Sequence, residues 1–293
     1  MMSAPNSAQN GIVDRVPPHA YFVMSAIFHY LGPSFAVLLF ARIEPLGVAW
    51  LRIASAALIF AVWRRPWRYV ATLTRVKRWA VVGLGMVLAG MNALFYLAIH
   101  LLPLATVGAI EFLGPIALAA LGARSLRNVA ALIVAVAGVA ILTDVRIADA
   151  PLGYVFAFAN CLLFVLYILL GHRISGDGGI DRLAGAMLIA AFVALPIGFD
   201  ASLPAFASVT LLAAAIGVGV TSSVIPYVTD QSAMARLPRA TFALFLSVLP
   251  ATAALIGFVV LHQVPSTAEL AGIALVAAGV ALHRAARVED PRG

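Results

Sequence analysis

Residues 98–122 read A-I-H-L-L-P-L-A-T-V-G-A-I-E-F-L-G-P-I-A-L-A-A-L-G, and residues 233–257 read A-M-A-R-L-P-R-A-T-F-A-L-F-L-S-V-L-P-A-T-A-A-L-I-G. At a shift of 233 − 98 = 135 residues, Ala98, Leu102, Pro103, Ala105, Thr106, Pro115, Ala119 and Gly122 meet identical residues. Alanine richness explains some matches, but not the L-P-x-A-T block followed by a second proline. A further block, A-G-V-A at 137–140, returns at 278–281. The chain reads as two copies of one unit, and the architecture follows from how each copy enters its surroundings.

Those surroundings are set by composition. Hydrophobic residues make up 63% of the 293 and charged residues 11%, against roughly 45–50% and about 25% in soluble domains. This is the composition of a chain that lives in a bilayer. The net charge of +7 does not indicate nucleic acid, because the basic residues are scattered between apolar runs as membrane loops require. A single cysteine, Cys161, excludes an intramolecular disulfide and a cysteine metal cluster. The first 19 residues are polar and proline-bearing, so the first apolar run reads as a retained span rather than a cleaved leader.

A spanning helix needs about 20 mostly apolar residues. That measure predicts ten spans, near 20–40, 46–63, 79–99, 102–121, 128–143, 152–171, 183–198, 208–229, 239–261 and 268–283. Sixteen of the 19 Lys and Arg fall in the two tails and the even-numbered loops. Arg42 and Arg146 lie on the other side, and Arg52 lies within span 2. This bias places both termini in the cytoplasm. Five spans is an odd number, so the second copy enters from the opposite side. The expected fold is all-α integral membrane, with ten transmembrane helices as two inverted five-helix repeats. The divisions are a cytoplasmic tail over 1–19, a first repeat over 20–145, a second over 152–284 and a cytoplasmic tail over 285–293. Many secondary transporters use this architecture for alternating access around a midplane site.

Several residues break the apolar pattern. Pro115 and Pro250 occupy matched positions in spans 4 and 9 and are candidate hinges, since proline removes a helical donor; packing alone is the plainer explanation. Glu111 lies near the middle of span 4, where a carboxylate is expensive. Arg52, at similar depth in span 2, is its expected partner in a structural ion pair. A contact to a substrate ammonium and a role in proton coupling are the other readings. Tyr30, Asn92, Tyr96, Asn160, Tyr167, Ser223, Tyr227 and Ser247 are further candidates for a cavity wall. Asn92 and Tyr96 share one helical face, and Ser223 and Tyr227 repeat that spacing in the equivalent span. Helix–helix hydrogen bonding is the bland alternative for each. His29 is central but has no second ligand at metal spacing, and no metal site or cofactor is expected. Trp50, Trp63, Trp67 and Trp79 read as interfacial anchors. The glycines and alanines of spans 5 and 10 read as close helix contacts. No phosphate-binding G-x-x-x-x-G-K-[ST] loop and no convergent catalytic set is present, so neither an ATP engine nor an enzyme is expected.

Ten spans in two halves, G-M-N-A-L-F-Y at 90–96, L-R-I-A at 51–54, E-F-L-G-P at 111–115 and the repeated A-G-V-A resemble the EamA-type transporters of the drug/metabolite transporter superfamily. The resemblance covers about residues 20–284. It is most similar to bacterial amino-acid exporters of the threonine/homoserine and broad-specificity type. It implies a multi-pass inner-membrane protein that exports amino acids and related small metabolites. It carries over Asn92, Tyr96 and Glu111 as family-typical positions. The partners implied are a small-molecule substrate, the lipid bilayer and protons as a coupling candidate, with no nucleic acid. A duplicated chain needs no second copy to complete a two-fold site, so a monomer is expected. The rival cargoes are drugs or lipophilic cations and nucleotide sugars; a membrane-embedded enzyme or sensor is a remote alternative.

Overall fold

The computed structural model describes residues 18–122, 125–146, 150–173, 179–234 and 249–282. Among these residues the chain is helical and contains no strand. The helices are α1 (Pro18–Leu39), α2 (Pro45–Arg64), α3 (Pro66–Thr72), α4 (Arg75–Leu101), α5 (Leu104–Gly122), α6 (Leu126–Arg146), α7 (Pro151–Arg173), α8 (Gly179–Phe206), α9 (Val209–Gly219), α10 (Ile225–Met234), α11 (Leu249–Leu261) and α12 (Thr267–Leu282). A π-helical turn, Val220–Val224, joins α9 to α10. Five helical stretches are long and apolar enough to cross a bilayer: Pro45–Arg64, Arg75–Leu101, Pro151–Leu170, Ile180–Phe206 and Val209–Thr229. Shorter apolar helices run over Val23–Leu39, Leu104–Leu118, Leu126–Leu142, Leu249–Leu261 and Thr267–Leu282. The protein is an all-helical, multi-pass membrane protein.

Local chemistry fixes the helix ends. Proline opens α2, α3 and α7, where its missing N–H costs nothing. The Thr74 and Ser208 hydroxyls accept from Lys77 N and Leu211 N and start α4 and α9. Ser266 and Glu269 form a reciprocal capping box at α12: Ser266 N donates to Glu269 Oε2 at 2.8 Å, and Glu269 N to Ser266 Oγ at 3.2 Å. Arg65 takes φ 49° between α2 and α3, so the chain turns sharply at the basic stretch after α2.

Helix packing follows a pattern across the chain. α2 lies along α8, α6 along α12, and α5 against α11; α4 lies along α7, and α1 along α10 and the π turn. Counting the α9–π–α10 stretch as one span, exchange of the two halves maps the first three pairs onto themselves and the last two onto each other. The α6–α12 contact is close because glycine faces glycine. A Cβ on Gly138 would stand 2.6 Å from the Gly272 carbonyl oxygen, and one on Gly272 would stand 2.9 Å from that of Gly138. The apolar spans 5 and 10 are therefore packed as expected.

Several expectations change. α3 was not anticipated, because seven residues opening on Pro66, with Arg64, Arg65 and Arg68 beside or among them, read as loop. α8 runs 28 residues, well beyond the predicted 183–198, since Asp181 and Asp200 lie on helical turns that extend past the apolar segment. Trp50 is not an interfacial anchor: its Nε1 donates to the Ala191 carbonyl at 3.1 Å and its ring meets Phe199 edge-on, joining α2 to α8. Trp63, Trp67 and Trp79 are exposed.

Candidate functional site

A polar cavity of about 70 Å³ lies inside the helical bundle, lined by His29, Pro33, Arg52, Met91, Asn92, Phe95, Glu111, Asn160, Phe164, Tyr167, Ser222 and Tyr227. That is room for a few water molecules or a small solute. The walls come from α1, α2, α4, α5, α7 and the π–α10 region, so both halves of the chain build it. A larger cavity of about 350 Å³ sits at helix ends among His100, Pro103, Thr106, Gln263 and Glu269. The smaller one is the candidate site, because it alone of the two holds a buried arginine.

Arg52 is 8% exposed and Glu111 7%. The ion pair expected between them is not formed. Arg52 Nε instead donates to Ser223 Oγ at 3.0 Å and Nη2 to the Ser222 carbonyl at 2.9 Å. Its guanidinium also stands 5.5 Å over the Tyr96 ring, a cation–π distance. Glu111 Oε1 accepts from Asn160 Nδ2 at 3.2 Å. The two side chains line the cavity separately. The physical reason is the path of the second half: the π turn brings Ser222 and Ser223 to α2, and α7 brings Asn160 to α5. An ion pair does join Arg64 to Asp181, at 2.7 Å, where α2 ends and α8 begins.

The prolines explain why the π turn offers an acceptor. In an α-helix the N–H of residue i + 4 serves the carbonyl of residue i. For Ser222 that residue is Pro226, which has no N–H, so its carbonyl is served outside the i→i+4 pattern, and Arg52 donates to it. Pro115 and Pro33 stand in the same relation to Glu111 and His29. Three cavity residues are thus each followed, four positions later, by a proline within the same apolar segment. A π turn of this kind is itself a frequent mark of function. The crossing of α1 over it is tight: a Cβ on Gly32 would stand 2.6 Å from Ser222 Cα and N.

Most of the cavity candidates predicted from sequence lie at or beside this cavity. Asn92, Glu111, Asn160, Tyr167 and Tyr227 line the cavity. Ser223 and Tyr96 hold Arg52. Asn92 Nδ2 donates to its own helix at the Leu88 carbonyl, 2.8 Å away, which leaves its oxygen as an acceptor. Tyr30 is fully buried in α1 beside His29. A Cβ on Gly108, one turn before Glu111, would stand 2.9 Å from the Tyr30 hydroxyl. The hydroxyls of Tyr30, Tyr96 and Ser222 and the Asn160 Oδ1 are buried without a well-formed hydrogen bond; the Tyr96 hydroxyl faces Ser222 and Arg52. Pro115 lies within α5 and Pro250 is the second residue of α11. Ser247 and the approach to Pro250 lie outside the described residues. Sequence reasoning passed over Met91, Phe95 and Phe164, and gave little weight to Pro33, His29 and Ser222. The signal that would have found two of them is the proline four residues after His29 and Ser222. Among the described residues, no group of three His, Cys, Asp or Glu is placed to hold a metal.

A model of the EamA-like transporter family matches residues 151–284. The threonine/homoserine exporter RhtA of Escherichia coli strain K12 is 32% identical over 264 residues, covering 88% of both chains. The protein of that name from Salmonella typhimurium strain LT2 is 33% identical over 236 residues, covering 79% of both. A solved crystal structure, 20% identical, superposes with a TM-score of 0.62 over 90% of this chain and 96% of its own; it shows a shared fold.

Proposed function

This chain belongs to the EamA-like transporter family, and from that premise we propose that it exports amino acids and related small metabolites across a bacterial inner membrane. The observation that carries the reading is the polar cavity: a buried arginine and a buried carboxylate, not paired with each other, in the interior of an apolar bundle. Buried charge of this kind is costly in a membrane and marks a substrate or ion path. The relatives named as threonine/homoserine exporters support amino acids as cargo. The cavity volume supports a small solute; drug-sized ligands occupy pockets of roughly 300–1,000 Å³.

The proposed mechanism is alternating access by ten spans in two inverted repeats, over 20–145 and 152–284, with both termini cytoplasmic. The packing that maps onto itself when the halves exchange supports the repeat, and the Lys and Arg bias supports the orientation. α5 and the span containing α11 bend at Pro115 and Pro250 as the cavity changes sides. Binding and release carry the function, with no bond made or broken in the cargo, and the protein works as a monomer. The test is uptake by purified protein in liposomes, with a panel of labelled amino acids, with and without an imposed pH gradient. Saturable uptake of threonine and other small neutral amino acids is expected. Flux of lipophilic cations or nucleotide sugars without amino-acid flux would overturn the reading. Dependence on the gradient would add protons as the coupling partner.

A further inference from the structure

We propose that the cavity is divided into two charge subsites that together select zwitterions: Arg52 with Ser222 and Tyr96 takes the α-carboxylate, and Glu111 with Asn160 takes the α-ammonium. This rests on the export reading and names the cargo class that the site accepts.

The first observation is what Arg52 leaves unused. A guanidinium carries five N–H donors in a fixed fork. One at Nε serves Ser223 Oγ and one at Nη2 serves the Ser222 carbonyl. No described carboxylate takes the other three. They belong to a residue that lines the cavity and is held in one plane by those two bonds and the Tyr96 ring. Bidentate capture of a carboxylate is the recognition this fork suits best. The Ser222 and Tyr96 hydroxyls, which face each other and the guanidinium, stand beside it as further polar groups.

The second observation is the acceptor excess at the other charge. Glu111 has one oxygen on Asn160 Nδ2, and no described group donates to the second. Asn160, fully buried, leaves its Oδ1 without a donor. The Glu111 backbone carbonyl has also lost its helical donor to Pro115. An ammonium with three N–H donors and no acceptor fits such a group; an anion does not.

The third observation is that the two charges stay apart. Opposite charges attract more strongly the closer they stand, and more so away from water. Here each is anchored to a neutral partner from the other half: Arg52 to the π turn and Glu111 to α7. That arrangement preserves a gap with a cation on one side and an anion on the other. A simple cation would leave Arg52 unserved, and a simple anion would leave Glu111 unserved.

The experiment is competition against labelled threonine uptake in proteoliposomes of the wild-type chain. The competitors are unlabelled threonine, 1-amino-2-propanol, which lacks the carboxylate, and 3-hydroxybutyrate, which lacks the amine. Each one-charge analogue loses one set of charged hydrogen bonds and should compete roughly ten- to hundred-fold more weakly than threonine. Glu111→Gln should weaken threonine while narrowing the gap to 3-hydroxybutyrate. Arg52→Gln should weaken threonine while narrowing the gap to 1-amino-2-propanol. A purely structural role would lower flux for all ligands alike and leave those ratios fixed. Analogues that compete as well as threonine, or ratios unmoved in both variants, overturn the two-subsite assignment while export stands. If the variants do not fold, the wild-type panel alone decides. No uptake of any amino acid by the wild type overturns export itself, and this inference with it.

Discussion

Replacing Ser223 by alanine removes the hydroxyl that receives Arg52 Nε at 3.0 Å. Ser223 is 1% exposed, so bulk water does not take the lost place. A hydrogen bond to a charged group is worth about 1.5–3 kcal/mol. The guanidinium can still turn toward the cavity and keep its bond to the Ser222 carbonyl, which points to the lower half of that range. Roughly 1.5–2 kcal/mol corresponds to a ten- to thirty-fold fall in kcat/KM for threonine uptake, at about 1.4 kcal/mol per tenfold. The assay is initial uptake rate in proteoliposomes, normalised to monodisperse protein, with Ser223→Thr as the variant that keeps the hydroxyl and most of the activity. Adding Ser223→Ala to Arg52→Gln should cost little more than Arg52→Gln alone, because the serine acts by aiming the arginine. Unchanged kcat/KM in Ser223→Ala, or losses that simply add in the double variant, would refute the idea that Ser223 aims a substrate-binding arginine.

Three further outcomes follow from the packing. Gly32→Val should lower both thermal stability in detergent and uptake, by about 1–3 kcal/mol of overpacking, because its Cβ would meet the Ser222 backbone at 2.6 Å; a fluorescence melting curve matching the wild type would contradict this. Gly138→Val should cost comparable stability at the α6–α12 contact yet leave the KM of the folded fraction unchanged, since that contact lies away from the cavity, and a raised KM would contradict it. Arg64→Ala breaks an ion pair whose partners are 36% and 20% exposed; pairs of that exposure are worth about 0–1 kcal/mol, so its melting temperature and uptake should stay close to wild type.

Much of this molecule could be read from the sequence, for a physical reason. A bilayer forces backbone hydrogen bonds into helices, so apolar run lengths carried the all-helical, multi-pass character. Polar residues are scarce in such runs, so Glu111, Asn92, Asn160 and Tyr167 stood out, and the structure gathers them round one cavity. Their partners were not legible. Arg52 is about 170 residues from Ser222 and Ser223, and only the crossing of α2 with the π turn decides that it bonds there rather than to Glu111. Depth along a helix, the reason for pairing Arg52 with Glu111, says nothing about which face each side chain leaves from. The prolines at 33 and 226 have no proline at the equivalent place in the other half of the chain. Their meaning lies four residues upstream, at a carbonyl left without its i→i+4 donor.

Equilibrium binding of labelled threonine to the purified chain, compared across the wild type, Arg52→Gln and Glu111→Gln, bears most directly on the cavity as the substrate site. One saturable site per chain is expected in the wild type, weakened at least tenfold in each folded variant. Binding of wild-type strength in both variants would place the substrate elsewhere in the protein and contradict the assignment of this cavity as its site.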